Sequence, residues 1–206
     1  MGQRKYIAVA GNMGVGKSSL VRFLCQHFKV EPFFEPNEQN PYLKDFYRDM
    51  RRWAFHSQVR FLSSKFRIHQ DLARERIKTT VIQDRSIYED AEIFAYNLFR
   101  SRKMSKRDYE TYQSLYQTMV RSLEPPDLMI YLRGSLRTLK RRIRARGRPE
   151  EKGMPDSYLR RLNGYYEEWF ERYSLSPTLV IQTDNMDYAT DLVDRIDLVQ
   201  QIEKYI

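Results

Sequence analysis

Residues 11–18 carry the strongest chemical signal in the chain. They read Gly-Asn-Met-Gly-Val-Gly-Lys-Ser, which matches the pattern G-x-x-x-x-G-K-[S/T] in full, between a predicted strand and a predicted helix. Glycines let such a loop turn its successive N–H groups toward phosphate oxygens, and the helix that follows adds its positive dipole end. A chance match is expected only about 0.007 times in a chain of this length. The pattern therefore predicts a loop that binds a nucleoside triphosphate.

The lysine and the serine of this loop have distinct expected roles. Lys17 is expected to reach the β- and γ-phosphates of ATP, and the hydroxyl of Ser18 to ligate Mg²⁺. The predicted ATP-binding residues of the loop are Gly11, Asn12, Met13, Gly14, Val15, Gly16, Lys17, Ser18 and Ser19. The loop does not identify the acceptor of the phosphoryl group, because GTPases, ATP-driven motors and many kinases share it.

A second charged group, Asp84-Arg85, directly follows a β-branched run at 79–83 that is typical of a central strand. The Asp84 carboxylate could hold Mg²⁺ or its waters, and Arg85 could orient an acceptor hydroxyl and neutralise phosphate charge. Ser86 and Glu89 form a capping box that begins the next helix. The alternative interpretation assigns Asp84 and Arg85 only to the turn that enters this helix. Both interpretations can hold, since the capping box would fix the position of the turn.

The formal net charge of +9 is concentrated in one segment, because eight of the sixteen residues from 133 to 148 are Arg or Lys. A kinase that closes over ATP needs such a cluster, whereas a general nucleic-acid surface would spread its charge over a broader face. We therefore expect no nucleic-acid partner. A non-catalytic protein that binds nucleotides or nucleic acid remains the alternative, and steeply salt-dependent binding to mixed DNA would favour it.

The predicted elements alternate between strands and helices. Hydrophobic periodicity and turn residues predict strands at 5–10, 31–34, 79–83, 128–132 and 179–182. They predict helices at 18–28, 41–47, 53–78, 108–123, 136–146, 155–173 and 188–205, and one that begins at 86. This alternation indicates an α/β fold, a P-loop NTPase-type parallel sheet flanked by helices on both faces. We expect one domain over residues 1–206, with a short Arg-rich lid at about 144–153.

Composition limits the cellular setting. Forty-one per cent hydrophobic and 14% aromatic residues argue against disorder. The single cysteine, Cys25, excludes an internal disulfide and is typical of a reducing compartment. The apolar stretch near the start, 6–10, is short for a signal peptide, and no apolar run is long enough to cross a bilayer. We therefore expect a cytoplasmic protein without a membrane partner.

Further segments carry a family resemblance. In order and at the expected separations occur Glu35-Pro36, Tyr47 in Asp-Phe-Tyr-Arg-Asp, Gln58 in Trp-Ala-Phe-His-Ser-Gln, Asp-Arg-Ser at 84–86, Asp90, and Arg-Ala-Arg-Gly-Arg-Pro-Glu-Glu at 144–151. Together with the phosphate loop, they resemble the deoxyribonucleoside kinase family from Ile7 to about Trp169. The chain is most similar to the bacterial deoxyadenosine/deoxyguanosine kinases, which likewise carry Asp-Arg-Ser where animal members have Glu-Arg-Ser.

This resemblance implies an activity: transfer of the γ-phosphoryl group of ATP to the 5′-hydroxyl of a deoxyribonucleoside in nucleotide salvage. It also implies a homodimer and feedback inhibition by a deoxynucleoside triphosphate. The implied general base is Glu35, with Arg85 and Lys17 as the other catalytic residues. The nucleoside-binding residues implied besides Glu35 and Arg85 are Tyr47, Gln58, Phe61, Lys65, Asp90 and Glu151, and the lid arginines implied to bind ATP are Arg142, Arg146 and Arg148.

Each of these residues also has an alternative interpretation that involves no catalytic or binding role. Glu35 could be an exposed loop glutamate before a proline. Lys65 could form a surface ion pair, and Asp90 could be an acid favoured by a helix N-terminus. The arginines could form a solvated face of a basic helix.

The acceptor is the remaining question. A polar pair at Lys65 and Asp90 suggests a purine or cytosine base over thymine, and we expect purine deoxynucleosides to be preferred. The nearest rival is a nucleoside monophosphate kinase of the thymidylate kinase type. Its acceptor is a phosphate, which a nearby Glu35 would repel, so the sequence favours the nucleoside.

Overall fold

The computed structural model describes residues 4–34, 40–151, 154–186 and 191–205. Within these residues, five strands form one parallel sheet in the order β2-β3-β1-β4-β5. The strands are β1 (Tyr6–Gly11), β2 (Val30–Phe33), β3 (Thr80–Asp84), β4 (Leu128–Arg133) and β5 (Thr178–Gln182). All five predicted strands are confirmed, and every end differs from its predicted position by at most one residue.

The helices of the described segments follow the predicted order. They are α1 (Lys17–His27), α2 (Leu43–Arg48), α3 (Met50–Arg76), α4 (Ile87–Glu89), α5 (Tyr96–Arg100), α6 (Lys106–Val120), α7 (Leu136–Arg146), α8 (Asp156–Arg172) and α9 (Leu192–Glu203). Helix α3 begins three residues earlier than its hydrophobic period suggests, because the Asp49 side chain caps it by accepting from the Arg52 N–H. The first residues predicted for the last helix, 188–190, lie outside the described residues.

A wide turn separates α4 from α5. Residues Asp90–Ala95 form a π-helical segment, so the helix predicted to begin at Ser86 is not uniform. The predicted capping box at its start is confirmed, with Ser86 and Glu89 satisfying each other's backbone N–H groups. A short 3₁₀ turn, Pro149–Glu151, follows α7 within the predicted lid.

Helices cover both faces of the sheet. Along the central strand β1, Tyr6, Ala8 and Ala10 pack into one core, and Ile7 and Val9 pack into the other. The first core is completed by α3, α6 and α8 through Leu62, Tyr112 and Tyr166, and the second by α1, α7 and α9 through Leu20, Leu139 and Leu198. The predicted fold class is therefore confirmed.

The sheet brings two loops to one edge. Val9 of β1 pairs with Asp84 of β3, and the Arg85 N–H donates to the Val9 carbonyl at 3.0 Å. The segments after β1 and β3 consequently leave the sheet side by side, at the carboxyl ends of the strands. Ligands of parallel sheets bind at this edge, where the strand order reverses beside the central strand.

In the described part of the chain, none of the helices combines the length and the apolar character that crossing a bilayer requires.

Candidate active site

A cavity of about 590 Å³ opens at the carboxyl edge of the sheet. Its walls come from the phosphate loop, from α2 and α3, from the turn after β3 and from the segment after α7. The predicted site residues that line it are Met13, Gly14, Lys17, Ser18, Tyr47, Gln58, Phe61, Asp84, Arg85, Asp90, Arg146, Arg148 and Glu151. The fold thus brings predicted site residues that lie as far apart in sequence as Met13 and Glu151 to the wall of one cavity.

The phosphate loop needs glycine at two close approaches. Gly11 has φ +143°, and a Cβ there would lie 2.6 Å from the Leu132 carbonyl oxygen. Gly14 has φ +77°, and a Cβ there would lie 2.9 Å from the Leu139 carbonyl oxygen. Both backbone conformations are open to glycine and strained for other residues, and both positions are also crowded. The loop therefore has its shape because β4 and α7 press against it.

The Lys17 ammonium lies inside the loop. The side chain is buried, and Nζ donates to the carbonyls of Gly11 at 2.8 Å and Asn12 at 3.1 Å. The predicted contact of Lys17 with phosphates stays a prediction. Its position places one positive charge beside the first two residues of the loop, where a cation favours the binding of a polyanion.

Ser18 and Asp84 meet across the cavity floor. The Ser18 hydroxyl donates to Asp84 Oδ2, although the two residues belong to α1 and β3. The other carboxylate oxygen, Oδ1, is buried and accepts no hydrogen bond from the described residues. A hydroxyl and a carboxylate with an unused buried oxygen are the hard ligands that Mg²⁺ prefers, so this pair fits the predicted metal.

Three predicted loop residues lie behind the cavity wall. Gly11 shapes the backbone, and the side chain of Val15 is fully buried in the second core. Asn12 donates to the Leu159 carbonyl at 3.1 Å and to Asn163 Oδ1 at 2.6 Å, both in α8. These residues support the loop and tie it to the helix that follows the lid.

A second cavity, of about 370 Å³, adjoins the loop on its outer side. The loop supplies Gly14, Gly16, Lys17, Ser18 and Ser19, and the remaining walls are cationic or apolar: Arg22, Arg142, Arg146, Arg148 and Met186. All three predicted lid arginines thus border this space. An arginine-rich pocket beside a phosphate loop is suited to the charge of a triphosphate.

Arg142 differs from the other two arginines in its contacts. Its guanidinium donates to the carbonyls of Val15 at 2.7 Å, Thr183 at 2.8 Å and Met186 at 3.0 Å. Arg146 forms an ion pair with Glu151, and Arg148 lies 4.0 Å from the same carboxylate. Arg142 therefore joins the loop to the segment after β5, while the ion pairs of Arg146 and Arg148 lie within the lid.

One wall of the cavity, here called the acceptor wall because predicted nucleoside-binding residues lie on it, consists of side chains on α2, α3 and the π-helical segment. Gln58 and Asp90 are 5% and 4% exposed, and both line the cavity with Tyr47 and Phe61. Gln58, Leu62, Lys65 and His69, at spacings of four, three and four, are all buried along one side of α3. An amide and a carboxylate at one buried wall can bind the polar edge of a base.

Lys65 is not on the cavity wall. It is 1% exposed, and Nζ donates to the Arg85 carbonyl at 2.7 Å and to the Asp84 carbonyl at 3.4 Å. The burial of Lys65 excludes the alternative of a surface ion pair. The ammonium lies directly behind the turn that carries Asp84 and Arg85.

Arg85 has an unusual backbone for its residue type. Its φ is +64°, in the left-handed region, and its side chain is 8% exposed. The guanidinium carbon lies 4.6 Å from the centroid of the Phe94 ring, and Nε lies 3.8 Å from Glu89 Oε1. Strained backbone of this kind persists where the surrounding structure fixes it, and it is often found at functional sites.

The predicted general base, Glu35, lies outside the described residues. The residue before it, Phe34, follows β2 and lines the cavity.

The sequence patterns missed several residues of the cavity wall. Arg22 lies one turn into α1 and borders both cavities, and Phe94 and Tyr158 face the acceptor space. Burial raises the pKa of the Tyr158 hydroxyl, and the nearby Tyr47 raises it further. The spacing of four between Ser18 and Arg22 was a usable signal, since such residues share a helix face. No signal of comparable strength marked Phe94 or Tyr158.

Fold and site together define a P-loop phosphotransferase that uses a nucleoside triphosphate. The family model described as deoxynucleoside kinase matches residues 7–206. The chain is 37% identical to deoxyadenosine/deoxycytidine kinase of Bacillus subtilis, over 97% of this chain and 92% of that protein. It is 36% identical to deoxyguanosine kinase of Lactobacillus acidophilus, over 95% of this chain and 88% of that protein.

A solved structure shows the same likeness. Deoxyadenosine kinase from M. mycoides with bound dCTP superposes with a TM-score of 0.81 at 30% identity, covering 98% of this chain and all of the other (100%). The chain belongs to the deoxynucleoside kinase family. It is an ATP-dependent phosphotransferase that phosphorylates deoxynucleosides in nucleotide salvage.

Proposed function

We propose that the chain transfers the γ-phosphoryl group of ATP to the 5′-hydroxyl of a purine deoxynucleoside, deoxyadenosine or deoxyguanosine, with deoxycytidine as a weaker substrate. One observation carries this proposal. Lys17 and Ser18 on the donor side share a single cavity with Gln58 and Asp90 on the acceptor side, and Arg85 lies between them. Such an arrangement holds two substrates in line, which supplies much of the rate in phosphoryl transfer.

In the proposed reaction the 5′-oxygen of the nucleoside attacks the γ-phosphorus. A bond forms between these two atoms, and the bond from the γ-phosphorus to the bridging oxygen of ADP breaks. The 5′-hydroxyl proton passes to the Glu35 carboxylate, which stands two residues after β2 in the sequence. The transition state is loose, so Glu35 mainly orients the hydroxyl.

Positive charge around the transferred group is supplied by arginines. Arg85 is proposed to contact the acceptor oxygen and the γ-phosphoryl group, and Arg146 and Arg148 to stabilise the charge that develops there. Arg142 is proposed to act on ATP together with the loop whose Val15 carbonyl it contacts. Ser18 and Asp84 would hold Mg²⁺. When bound, this ion would neutralise negative charge on the β- and γ-phosphate oxygens.

The base is proposed to be read by Gln58 and Asp90. Adenine and cytosine present an exocyclic amino group to a carboxylate, and guanine presents the adjacent donors N1–H and N2–H₂. Thymine offers a single N3–H between two carbonyl acceptors, which would face the carboxylate unfavourably. Lys65 is proposed to influence the preference through the adjoining turn. The names of the two bacterial relatives described above, which cover deoxyadenosine, deoxycytidine and deoxyguanosine, support this selection.

The sugar is proposed to lie between α2 and the lid. Tyr47 and Glu151 are the proposed partners of the 3′-hydroxyl, and Phe61 is the proposed apolar contact. A Glu151 carboxylate that pairs with Arg146 would link sugar binding to the position of the lid.

Three wider properties are also proposed. The dCTP in the solved relative supports feedback inhibition by a deoxynucleoside triphosphate that spans both sides of the cavity. Family membership supports a homodimer. The single cysteine and the use of ATP support a cytoplasmic location.

The test is a coupled assay that compares deoxyadenosine, deoxyguanosine, deoxycytidine and thymidine at equal ATP, with dAMP and dTMP as further acceptors. A purine deoxynucleoside is expected to have the highest kcat/KM. Glu35→Gln is expected to lower kcat by about 10²- to 10⁴-fold with unchanged ATP affinity, because the group that orients the hydroxyl and takes its proton is removed while the contacts with ATP remain. Preference for a monophosphate would support the thymidylate kinase type, and a near-normal rate of Glu35→Gln would remove its role as base.

A further inference from the structure

Glu89 is a buried acid next to the site, and the proposed reaction does not use it. Its side chain is 0% exposed, and its carboxylate accepts four hydrogen bonds. Burying a carboxylate costs free energy of desolvation, which hydrogen bonds and nearby positive charges must offset. The contacts of Glu89 therefore indicate what it does for the structure around it.

The two carboxylate oxygens have different partners. Oε2 accepts from the Ser86 N–H at 2.9 Å and from its hydroxyl at 3.3 Å, which is the local capping box. Oε1 accepts from the Gly11 N–H at 3.2 Å and from the Tyr166 hydroxyl at 2.9 Å, both 77 or more positions away in sequence. One side chain thus joins the turn after β3, the first residue of the phosphate loop, and α8.

The same oxygen faces the catalytic cations. Arg85 Nε lies 3.8 Å from Glu89 Oε1, and Arg85 is the residue held in the left-handed backbone region. On the other side, Lys17 donates to the carbonyl of Gly11, whose N–H Glu89 accepts. Burial raises the pKa of Glu89, while the charges of Arg85 and Lys17 oppose that change. The carboxylate is therefore the counter-charge that both cations share.

We propose that Glu89 is a positioning residue for phosphoryl transfer, whose carboxylate holds the Arg85 guanidinium in register with the Gly11 peptide of the phosphate loop. The proposal rests on the proposed function, in which Arg85 contacts the transferred group. Glu89 itself touches neither substrate. Its effect reaches the reaction through Arg85, and its bond from the Gly11 N–H fixes the position of the carboxylate.

An amide cannot replace this carboxylate. Glutamine has the same length, but it offers one oxygen and one N–H₂ group. Whichever way it is turned, the N–H₂ group faces donors, either those of Ser86 or those of Gly11 and Tyr166. The Glu89→Gln variant would also remove the negative charge beside Arg85. Geometry and charge at the guanidinium should therefore change together.

The first experiment measures Glu89→Gln in steady-state kinetics and in titration calorimetry. We expect kcat to fall about 10- to 100-fold, as is typical when a supporting group of a reactive residue is removed. Dissociation constants for ATP and deoxyadenosine are expected to change less, by about threefold at most, because the contacts of the substrates remain. The matched control is Glu92→Gln, the same chemical change three residues away, whose carboxylate lies near Arg172. We expect it to keep the activity.

The second experiment separates positioning from folding with a double-mutant cycle on Arg85. Arg85→Met should itself be slow if the proposed function is right. In that background, Glu89→Gln is expected to lower kcat by no more than about twofold further, because its route to the reaction is already gone. An equal loss in both backgrounds, in step with a lowered melting temperature, would show a purely structural role and overturn the inference.

The outcomes also distinguish the two proposals. If Arg85→Met retains the normal rate, the role of Arg85 in the proposed function fails. If Arg85→Met is slow and Glu89→Gln is fully additive, only the role of Glu89 fails. Should Glu89→Gln not fold, the same cycle is run with Glu89→Asp, which keeps the charge and withdraws it from Gly11, and the same two outcomes decide.

Discussion

At the scale of single residues, the site concentrates arrangements that proteins elsewhere avoid. Arg85 occupies the left-handed backbone region, which costs a non-glycine residue roughly 1–2 kcal/mol. Lys65 buries its ammonium against the carbonyls of the same turn. Such conflicts between local preference and structure are expected where function, and not stability, has selected the residue.

Some of these residues could be identified from sequence and some could not. Lys17 and Ser18 belong to a motif whose spacing fixes their geometry, so their position around one loop was predictable. The carbonyl contacts of Lys65 and Arg142 join residues 19 to 127 positions apart. Neither contact leaves a local pattern, because the residues meet only after the sheet and the helices have packed.

The first residue-scale prediction concerns Asp84. Asp84→Asn removes the charge beside Ser18 Oγ and changes the oxygen that fits Mg²⁺, so kcat should fall about 10- to 100-fold and half-maximal activity should require more Mg²⁺. Kinetics across a Mg²⁺ titration measure both effects. The control is Asp71→Asn, whose carboxylate forms an exposed ion pair with Arg74. An unchanged Mg²⁺ requirement in Asp84→Asn would contradict the assignment.

The second residue-scale prediction concerns the buried imidazole of His69. It is 2% exposed, its Nδ1 accepts or donates no hydrogen bond among the described residues, and burial lowers its pKa from 6.5, with Glu124 opposing. The unfolded chain therefore binds the proton more readily. Stability from neutral His69 is fully present above pH 6.5 and is lost as the pH falls below it.

His69→Gln tests this pH dependence. Urea unfolding between pH 7.5 and 5.5 should show a shallower loss of unfolding free energy in the variant than in the wild type, by at most about 1.4 kcal/mol per pH unit. Equal slopes would mean that His69 takes up no proton on unfolding in this range.

At the scale of elements, α7 performs two tasks on adjacent sides. Arg142 and Arg146, four residues apart, share the side that borders the second cavity, beside the phosphate loop. Leu139 and Ile143, also four apart, lie on the side that presses against the phosphate loop at Gly14. These two arginines of α7 therefore lie where the helix borders the second cavity, and this leucine and isoleucine lie where it packs against the phosphate loop.

Gly14→Ala tests this packing. A Cβ at Gly14 would lie 2.7 Å from Ile143 Cγ1 and 2.9 Å from the Leu139 carbonyl oxygen, on a backbone with φ +77°. Either the loop or α7 must move, so ATP affinity is expected to fall by about tenfold or more. Calorimetric titration with ATP measures it.

Gly164→Ala is the matched control, since a Cβ in that helix meets nothing within 4 Å. It should raise stability by about 0.5–1 kcal/mol and leave ATP affinity unchanged. If Gly14→Ala bound ATP as tightly as this control, the close approach of α7 would not matter for the donor site.

The elements were largely predictable because their signals are local. Strand ends agreed within one residue, since β-branched and apolar runs were bounded by turn residues. The π-helical segment Asp90–Ala95 was not predictable. In this segment Asp90 and Phe94 both line the cavity. The contacts that favour the wider helical turn come from the other residues of the cavity wall, so they leave no local pattern in the sequence.

At the scale of the whole molecule, charge is distributed unevenly. The chain carries a net charge of +9, and the donor cavity is bordered by Arg22, Arg142, Arg146 and Arg148. ATP is an anion and a deoxynucleoside is neutral, so the field of the protein should act on one substrate alone. The nucleoside thus provides an internal control.

Salt dependence tests this. Raising the salt concentration from about 0.05 M to about 0.3 M shortens the Debye length about 2.4-fold, so KM for ATP should rise several-fold while KM for deoxyadenosine stays nearly constant. Initial rates with each substrate varied in turn measure both values. Parallel changes would indicate a general effect of salt on the enzyme.

The strand order β2-β3-β1-β4-β5 also divides the two substrates along the chain. On the acceptor side, α2, α3 and the π-helical segment all fall between β2 and β4, whereas the lid arginines follow β4. A chimaera that exchanges residues 40–100 with a relative would transplant most of the acceptor wall through only two junctions. Nature could recombine nucleoside preference in the same way, by swapping one continuous block of the gene while the phosphate loop and the lid arginines are inherited intact.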